Sequence, residues 1–332
     1  MTAYFVFMAT VAGIYALLSL GLVTIWGQGG MVNLGLVGFY ALGAFASALL
    51  AKSGVPIGLA WIAALSIATA VGAILCFVTR TLRGDYLAIV SLGFAEVIRL
   101  IATNEKWLTG GSDGISGIRA PLKDVLGDGF PWFYMGLTWA IVALAAFGLG
   151  RLLRSPYGRA LRAQRDDEQV AAVAGKPVLQ LKLKTFAIGA GLSGLAGAVY
   201  AHLTSFIAPD GFVPLLTIYI FLAATAGGYT RLTGAVVGSI AVLVLLEATR
   251  FAAAAIPGLN AVQVASLREL SIAVALIAIM QVRPEGIFGS KNQRARKIAQ
   301  APAPPEAESE SESESESASM PAHTTASVMP QT

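Results

Sequence analysis

Nine apolar segments dominate this chain, near residues 3–26, 34–51, 55–79, 86–103, 132–150, 184–205, 214–230, 234–254 and 266–282. A helix rising about 1.5 Å per residue needs roughly 20 of them to cross the ~30 Å hydrocarbon core of a bilayer, and these runs approach or exceed that length. In lipid every backbone N–H and C=O must be satisfied within the chain, so runs this continuous predict helices. The fold class expected is therefore an all-α polytopic membrane protein with about nine transmembrane helices. Composition agrees, because 56% of the residues are hydrophobic and 13% are charged, against roughly 25% charged in a soluble domain. The first charged side chain is Lys52. With no basic region or clear cleavage site ahead of it, the opening run reads as a retained span and not as a signal peptide.

The loops carry the charge. Six of the 19 acids lie between Glu306 and Glu316, and the rest of the chain is strongly basic. Its bases sit in loops beside apolar spans, where the positive-inside rule accounts for them without nucleic acid. The loop 151–184 has eight Lys/Arg, the stretch 283–297 has five, and Arg80 and Arg83 lie in a short turn. By contrast, the loop 104–131 has three bases and four acids. These counts predict the N-terminus and 104–131 outside, and 151–184 and the C-terminus in the cytoplasm. Two domains follow, a transmembrane unit over 1–289 and a cytoplasmic tail over 290–332. The tail starts with KNQRARK and continues into alternating Ser/Glu, which can bury no core and predicts disorder.

No enzyme constellation is visible. Cys76 is the single cysteine, and His202 and His323 are the two histidines, so no disulfide, metal cluster or general acid/base pair can be assembled. Neither catalytic nor metal-ligating residues are expected. No GxxxxGK[ST] loop occurs, so the chain itself is expected to bind no ATP or other cofactor. Glu96 with Arg99, and Glu247 with Arg250, share a helix face at a spacing of three. They read either as gating groups at the outer end of a path or as internal salt bridges near the interface. Asp85, at the entry of the fourth span, is expected to cap its helix and pair with Arg83.

The polar stretch from Ser155 to Lys184 stands apart from its apolar flanks. Ser155 as N-cap, Pro156 at the first helical position, and Gly175, Lys176 and Pro177 as stop signals predict one exposed helix, which would need a partner to be stable. Within it, Glu168, Ala171, Ala172 and Gly175 resemble a degenerate EAA loop of ABC importer permeases. Four blocks extend the likeness: RGDYLAIVSLGFAEVIRL (83–100), LTGGSDGISGI (108–118), GRALRAQRDDEQVAAVAGK (158–176) and RPEGIFG (283–289). Together they resemble the LivM-type permeases of branched-chain amino acid ABC transporters over roughly residues 10–290. The resemblance implies an ATPase-coupling set of Gly158, Arg162, Asp167, Glu168, Ala171, Ala172 and Gly175. It also implies partners: two ATPase subunits that hold ATP and Mg, a homologous second permease and a periplasmic substrate-binding protein.

Two glycine-rich stretches, Gly27–Ala44 and Ala226–Ser239, interrupt the apolar pattern. They read as broken helices along a transport path or as tight turns with small residues for helix contact. Asn33, Phe39 and Tyr40 on the first, with Tyr229 and Thr230 on the second, are the candidates for lining a path. Rows such as Gly35, Phe39 and Gly43, Gly189, Ser193 and Gly197, and Gly234 and Gly238 predict close helix packing. The function expected is the membrane-spanning subunit of an ATP-driven importer of branched-chain or other hydrophobic amino acids. The alternatives are a related permease for urea or amides, and an ion-coupled secondary transporter.

Overall fold

A computed structural model describes residues 2–82, 84–254, 260–282 and Gly286. The helices run α1 Thr2–Leu22, α2 Leu36–Lys52, α3 Ile57–Val78 and α4 Asp85–Asn104, then the single turns α5 Lys106–Thr109 and α6 Lys123–Leu126. They continue with α7 Phe130–Arg154, α8 Pro156–Asp166, α9 Glu168–Val173, α10 Val178–Thr204, α11 Leu215–Gly227, α12 Leu232–Ala254 and α13 Ala261–Val282. Two short strands, β1 Ile115–Ser116 and β2 Phe206–Ile207, pair antiparallel. Among the described residues, eight helices are long and apolar enough to cross a membrane, and the 17-residue α2 is a shorter apolar ninth. The chain is an all-α polytopic membrane protein, and each of the nine predicted segments contains a helix.

Which helix lies at the centre follows from side-chain size. α3, α4 and α7 expose Ile62, Phe77, Ile89, Val97, Leu144 and Phe147, an apolar surface suited to hydrocarbon. α10 instead presents Gly189, Gly191, Gly194 and Gly197 to its neighbours, and all four are buried. A Cβ on Gly197 would stand 1.9 Å from the Tyr40 carbonyl, and one on Gly43 would stand 2.0 Å from the Gly194 carbonyl. The backbones of α2 and α10 therefore touch, which is how helices gain packing energy in lipid, where burial gives no drive between them. The small-residue rows do report packing. Gly234 and Gly238 likewise press on Gly227 and the Ala223 carbonyl, closing α12 onto α11.

The two glycine-rich stretches differ. α1 widens into a π-helix over Val23–Gln28, with Gly29 N–H donating to the Thr24 carbonyl at 3.2 Å, and residues 29–35 are not helical. Met31, Asn33 and Gly35 are buried there, so the freed donors need internal acceptors. Side chains supply them. Ser91 Oγ accepts from Leu34 N–H at 3.0 Å, Asn33 Oδ1 from Gly35 N–H at 2.8 Å, and Thr217 Oγ1 from Val37 N–H at 3.3 Å. The first stretch is thus a true break in a helix. The second is a tight turn at Gly228–Arg231, where Gly228 has φ +106° and Arg231 N–H donates to its carbonyl at 3.1 Å.

Between the sixth and seventh predicted segments, over 206–213, the chain forms no α-helix. Ser205 turns at φ +56°, and a 3-10 turn, Pro209–Gly211, follows before α11 begins. α11 has 13 residues, only about 20 Å of helix. Ahead of it Phe212 is buried against Tyr40 and Phe45, at ring distances of 5.3 and 5.5 Å.

One further expectation is corrected. Gly84, not Asp85, occupies the N-cap of α4, with no side-chain capping bond; Arg83 lies outside the described residues. Both predicted ion pairs form. Arg99 Nη2 lies 2.5 Å from Glu96 Oε1, and Arg250 Nη1 lies 3.6 Å from Glu247 Oε2, with Tyr4 OH also donating to Glu247. The tail over 290–332 and the RPEGIFG block fall outside the described residues, apart from Gly286.

Candidate functional site

The polar loop folds as two helices, not one. Asp167 has extended backbone (φ −155°, ψ 113°), ends α8 and caps α9, its carboxylate accepting from Gln169 N–H at 2.8 Å and Val170 N–H at 3.0 Å. An acidic residue followed by a short apolar run offers the backbone this cap in place of a continued helix. Ser155 does stand at the N-cap of α8, ahead of Pro156, but its hydroxyl donates back to the Leu152 carbonyl at 2.6 Å and caps nothing. Gly175, at φ +73°, stops α9 as the sequence suggests.

The coupling candidates divide by what they touch. Gly158 sits where α8 folds back on α7, and a Cβ there would lie 2.0 Å from the Leu153 carbonyl. Arg162 Nη1 donates to that same carbonyl at 3.1 Å, covering the end of α7. Glu168 forms an ion pair with Lys182 at 2.7 Å, tying α9 to the base of α10. Tyr157 OH lies 2.8 Å from Thr185 Oγ1, and burial pushes its phenol pKa up despite that bond. Ala171 is buried, while Ala172 and Gly175 are exposed, so the two alanines do not share a face. Beside them Val170 and Val173 are 65% and 91% exposed. The loop is held by Gly158, Arg162, Asp167, Glu168 and Ala171, and it presents Val170, Ala172, Val173 and Gly175.

The path candidates also separate. Tyr229 stacks on Trp26 at 4.7 Å, and the Thr230 carbonyl accepts from Gln28 Nε2 at 2.7 Å, so this turn sits on the end of the π-helix. Gly27 permits the contact, since a Cβ would fall 1.7 Å from the Tyr229 carbonyl. Tyr40 faces Tyr200 and Phe212, with ring distances of 5.6 and 5.3 Å. Phe39, its neighbour, points elsewhere, into a cluster with Phe94 and Phe186 at 4.9 and 6.0 Å. Asn33 is fully buried, and its Nδ2 has no hydrogen-bond partner.

Sequence reasoning misses Gln164 and Arg165. Both reach the break, Arg165 Nη1 donating to the Gly27 carbonyl at 2.5 Å and Gln164 Nε2 to the Gly29 carbonyl at 3.4 Å. The only available signal is that Gln164 falls one turn beyond the apolar Leu161 on the same face of α8, and both are buried. Among the described residues, no three His, Cys, Asp or Glu side chains come together to hold a metal.

A helical bundle with a broken span, and a polar two-helix loop bonded to the break, defines a polytopic membrane protein. The chain belongs to the family described as branched-chain amino acid transport system / permease component, whose model matches residues 4–281. It is 34% identical to the high-affinity branched-chain amino acid permease LivM of Escherichia coli K12 over 269 residues, covering 73% of this chain and 63% of that protein. A probable LivM of Methanocaldococcus jannaschii is 30% identical over 225 residues, 67% of this chain and 65% of the relative. The high-affinity branched-chain amino acid permease LivH of E. coli K12 is 25% identical over 309 residues, 84% of this chain and 92% of the relative. The chain therefore spans slightly under two thirds of these two LivM relatives' length. No solved structure matches it.

Proposed function

We propose that this chain is one of two homologous permease subunits in an ATP-driven, binding-protein-dependent importer of branched-chain or other hydrophobic amino acids. It works in a bacterial inner membrane, with its N-terminus outside and with the α8–α9 loop and the 290–332 tail in the cytoplasm. A periplasmic protein delivers the substrate, and two ATPase subunits carry ATP and Mg, so this chain binds no cofactor. The observation that carries the reading is the α8–α9 loop. It lies beyond the ends of the flanking helices, is braced from behind by the Glu168–Lys182 pair, and presents Val170 and Val173, which the described residues leave exposed. An apolar surface held rigidly outside a membrane suits a docked protein. The substrate assignment rests on the named activities of the relatives. The path is taken to run beside Asn33, Tyr40, Tyr229 and Thr230, with Phe39 supporting it from behind.

Gly175→Trp and Ala172→Arg test the reading. A Cβ on Gly175 would meet no described atom within 4 Å, so bulk there is directed at a partner; because Gly175 has φ +73°, the tryptophan also strains the turn. Ala172 is exposed, and arginine there places a charge in the docking face. Both variants should accumulate in the membrane at parental levels while ATPase co-purification and leucine uptake fall. Full uptake with ATPase still bound in both would overturn the assignment.

A further inference from the structure

The loop reaches the break directly. Gly27 and Gly29 lie where α1 loses its regular bonding, so their carbonyls lack the acceptance that a continuing helix gives. Arg165 and Gln164 supply the donors at 2.5 and 3.4 Å, the first of them charge-assisted and so the stronger. Gly30 turns at φ +70° and lies against the stem of Arg165, where an added Cβ would come within 2.8 Å of Cγ. From Gln28 the connection continues to the Thr230 carbonyl at 2.7 Å, and from Gly27 to Tyr229. One segment, 27–30, thus joins α8, the α11–α12 turn and the chain leading into α2.

On its other flank the same loop borders open space. A cavity of about 190 Å³ is lined by Met31, Thr79, Arg80, Gln164, Asp167 and Lys182, among others. Gln164 Oε1 is buried and has no partner among the described residues. The α8–α9 junction is therefore tied to the break through Gln164 and Arg165 and to α10 through the Glu168–Lys182 pair, with the cavity between these ties. Displacement of the junction passes to whatever it is bonded to, and through Gln164 and Arg165 that is Gly27–Gly30.

We infer that Gln164 and Arg165 are positioning residues that carry movement of the α8–α9 loop to the Gly27–Gly30 break, so that the break and the Tyr229–Thr230 turn shift together as a gate. This rests on the ATPase-coupling reading above. Without the latch, ATPase closure would move the loop while the break stays put, and hydrolysis would continue with little transport.

The test uses the full complex, purified through a tag on this chain, placed in proteoliposomes and supplied with leucine on its binding protein. For Arg165→Ala, ATPase subunits should co-purify in the parental ratio and hydrolysis should persist. Leucine moved per ATP should fall roughly tenfold, as expected for one lost charged hydrogen bond. Arg165→Lys, which restores a cationic donor, should recover part of the loss, and Gln164→Ala should show a smaller loss than Arg165→Ala. A second readout is the labelling of Met31→Cys, in a Cys76→Ser background, by a water-soluble maleimide. Its rate should differ between nucleotide-free and ATP-trapped states, and Arg165→Ala should abolish that difference. A parental coupling ratio and parental labelling difference in Arg165→Ala overturn the latch. ATPase lost from Arg165→Ala alone also overturns it, by making Arg165 a docking residue. ATPase absent from the parent complex sinks the coupling reading instead. If Arg165→Ala does not accumulate, Arg165→Lys and Gln164→Ala decide the question by the same two readouts.

Discussion

Replacing Val170 and Val173 together by serine should release the ATPase without disturbing the bundle. Complete burial of a valine is worth about 1.5 kcal/mol at roughly 25 cal/mol per Å². Val173 is 91% exposed and has nearly all of that to gain on docking, whereas Val170, 65% exposed, has proportionately less. The pair then contributes about 2.3 kcal/mol, equivalent to roughly a 45-fold change in dissociation constant at about 1.4 kcal/mol per decade. The assay is a titration of the ATPase subunits onto the permease pair in nanodiscs. Val125→Ser provides the control, because Val125 is 79% exposed but lies in the 104–131 loop. The control should bind like the parent. A double variant within threefold of the parent would refute the claim that these valines are the docking surface, however strongly other residues bind.

Two further outcomes are expected. Periplasmic reporter fusions should be active after Asp113 and inactive after Gln164, since the Lys/Arg excess lies in 151–184, and the reverse pattern would invert the topology. Asp167→Ala should cost about 1 kcal/mol by removing the cap of α9 and uncover the loop to limited proteolysis, with Asp167→Asn restoring protection; equal protease sensitivity in all three would rule out the cap.

The apolar segments were legible because hydrocarbon thickness imposes one length on every span, and glycine rows were legible because small side chains are what let backbones such as Gly43 and Gly194 touch. The α8–α9 loop stood out by charge alone. Its division at Asp167 did not, since a carboxylate within a polar run looks the same in a helix as in a cap until its partners are known. The interruption before α11 was legible as the gap between the segments ending at 205 and starting at 214, where Pro209, Asp210, Gly211 and Pro214 depart from a helix. Gln164 and Arg165 could not be picked from their neighbours, because what distinguishes them is a pair of carbonyls some 135 residues earlier in the chain. That part of the site is a property of tertiary contact. Conversely, Phe39 and Tyr40 look equivalent in sequence, but one residue of helix turns them about 100° apart and sends them into different clusters.

α10 is fastened at both extremities. At one, Lys182 holds Glu168 and Thr185 holds Tyr157. At the other, β2 continues from it to pair with β1, and His202 Nδ1 lies 2.5 Å from the Arg119 carbonyl. A carbonyl only accepts, so Nδ1 bears the proton, and in the neutral ring Ser47 Oγ donates to Nε2 at 2.9 Å. One unbroken helix of 27 residues makes a rigid measuring rod. Spin labels set near its two ends should hold one separation through the whole cycle, and any element whose distance to that line changes with nucleotide is identified as a moving part.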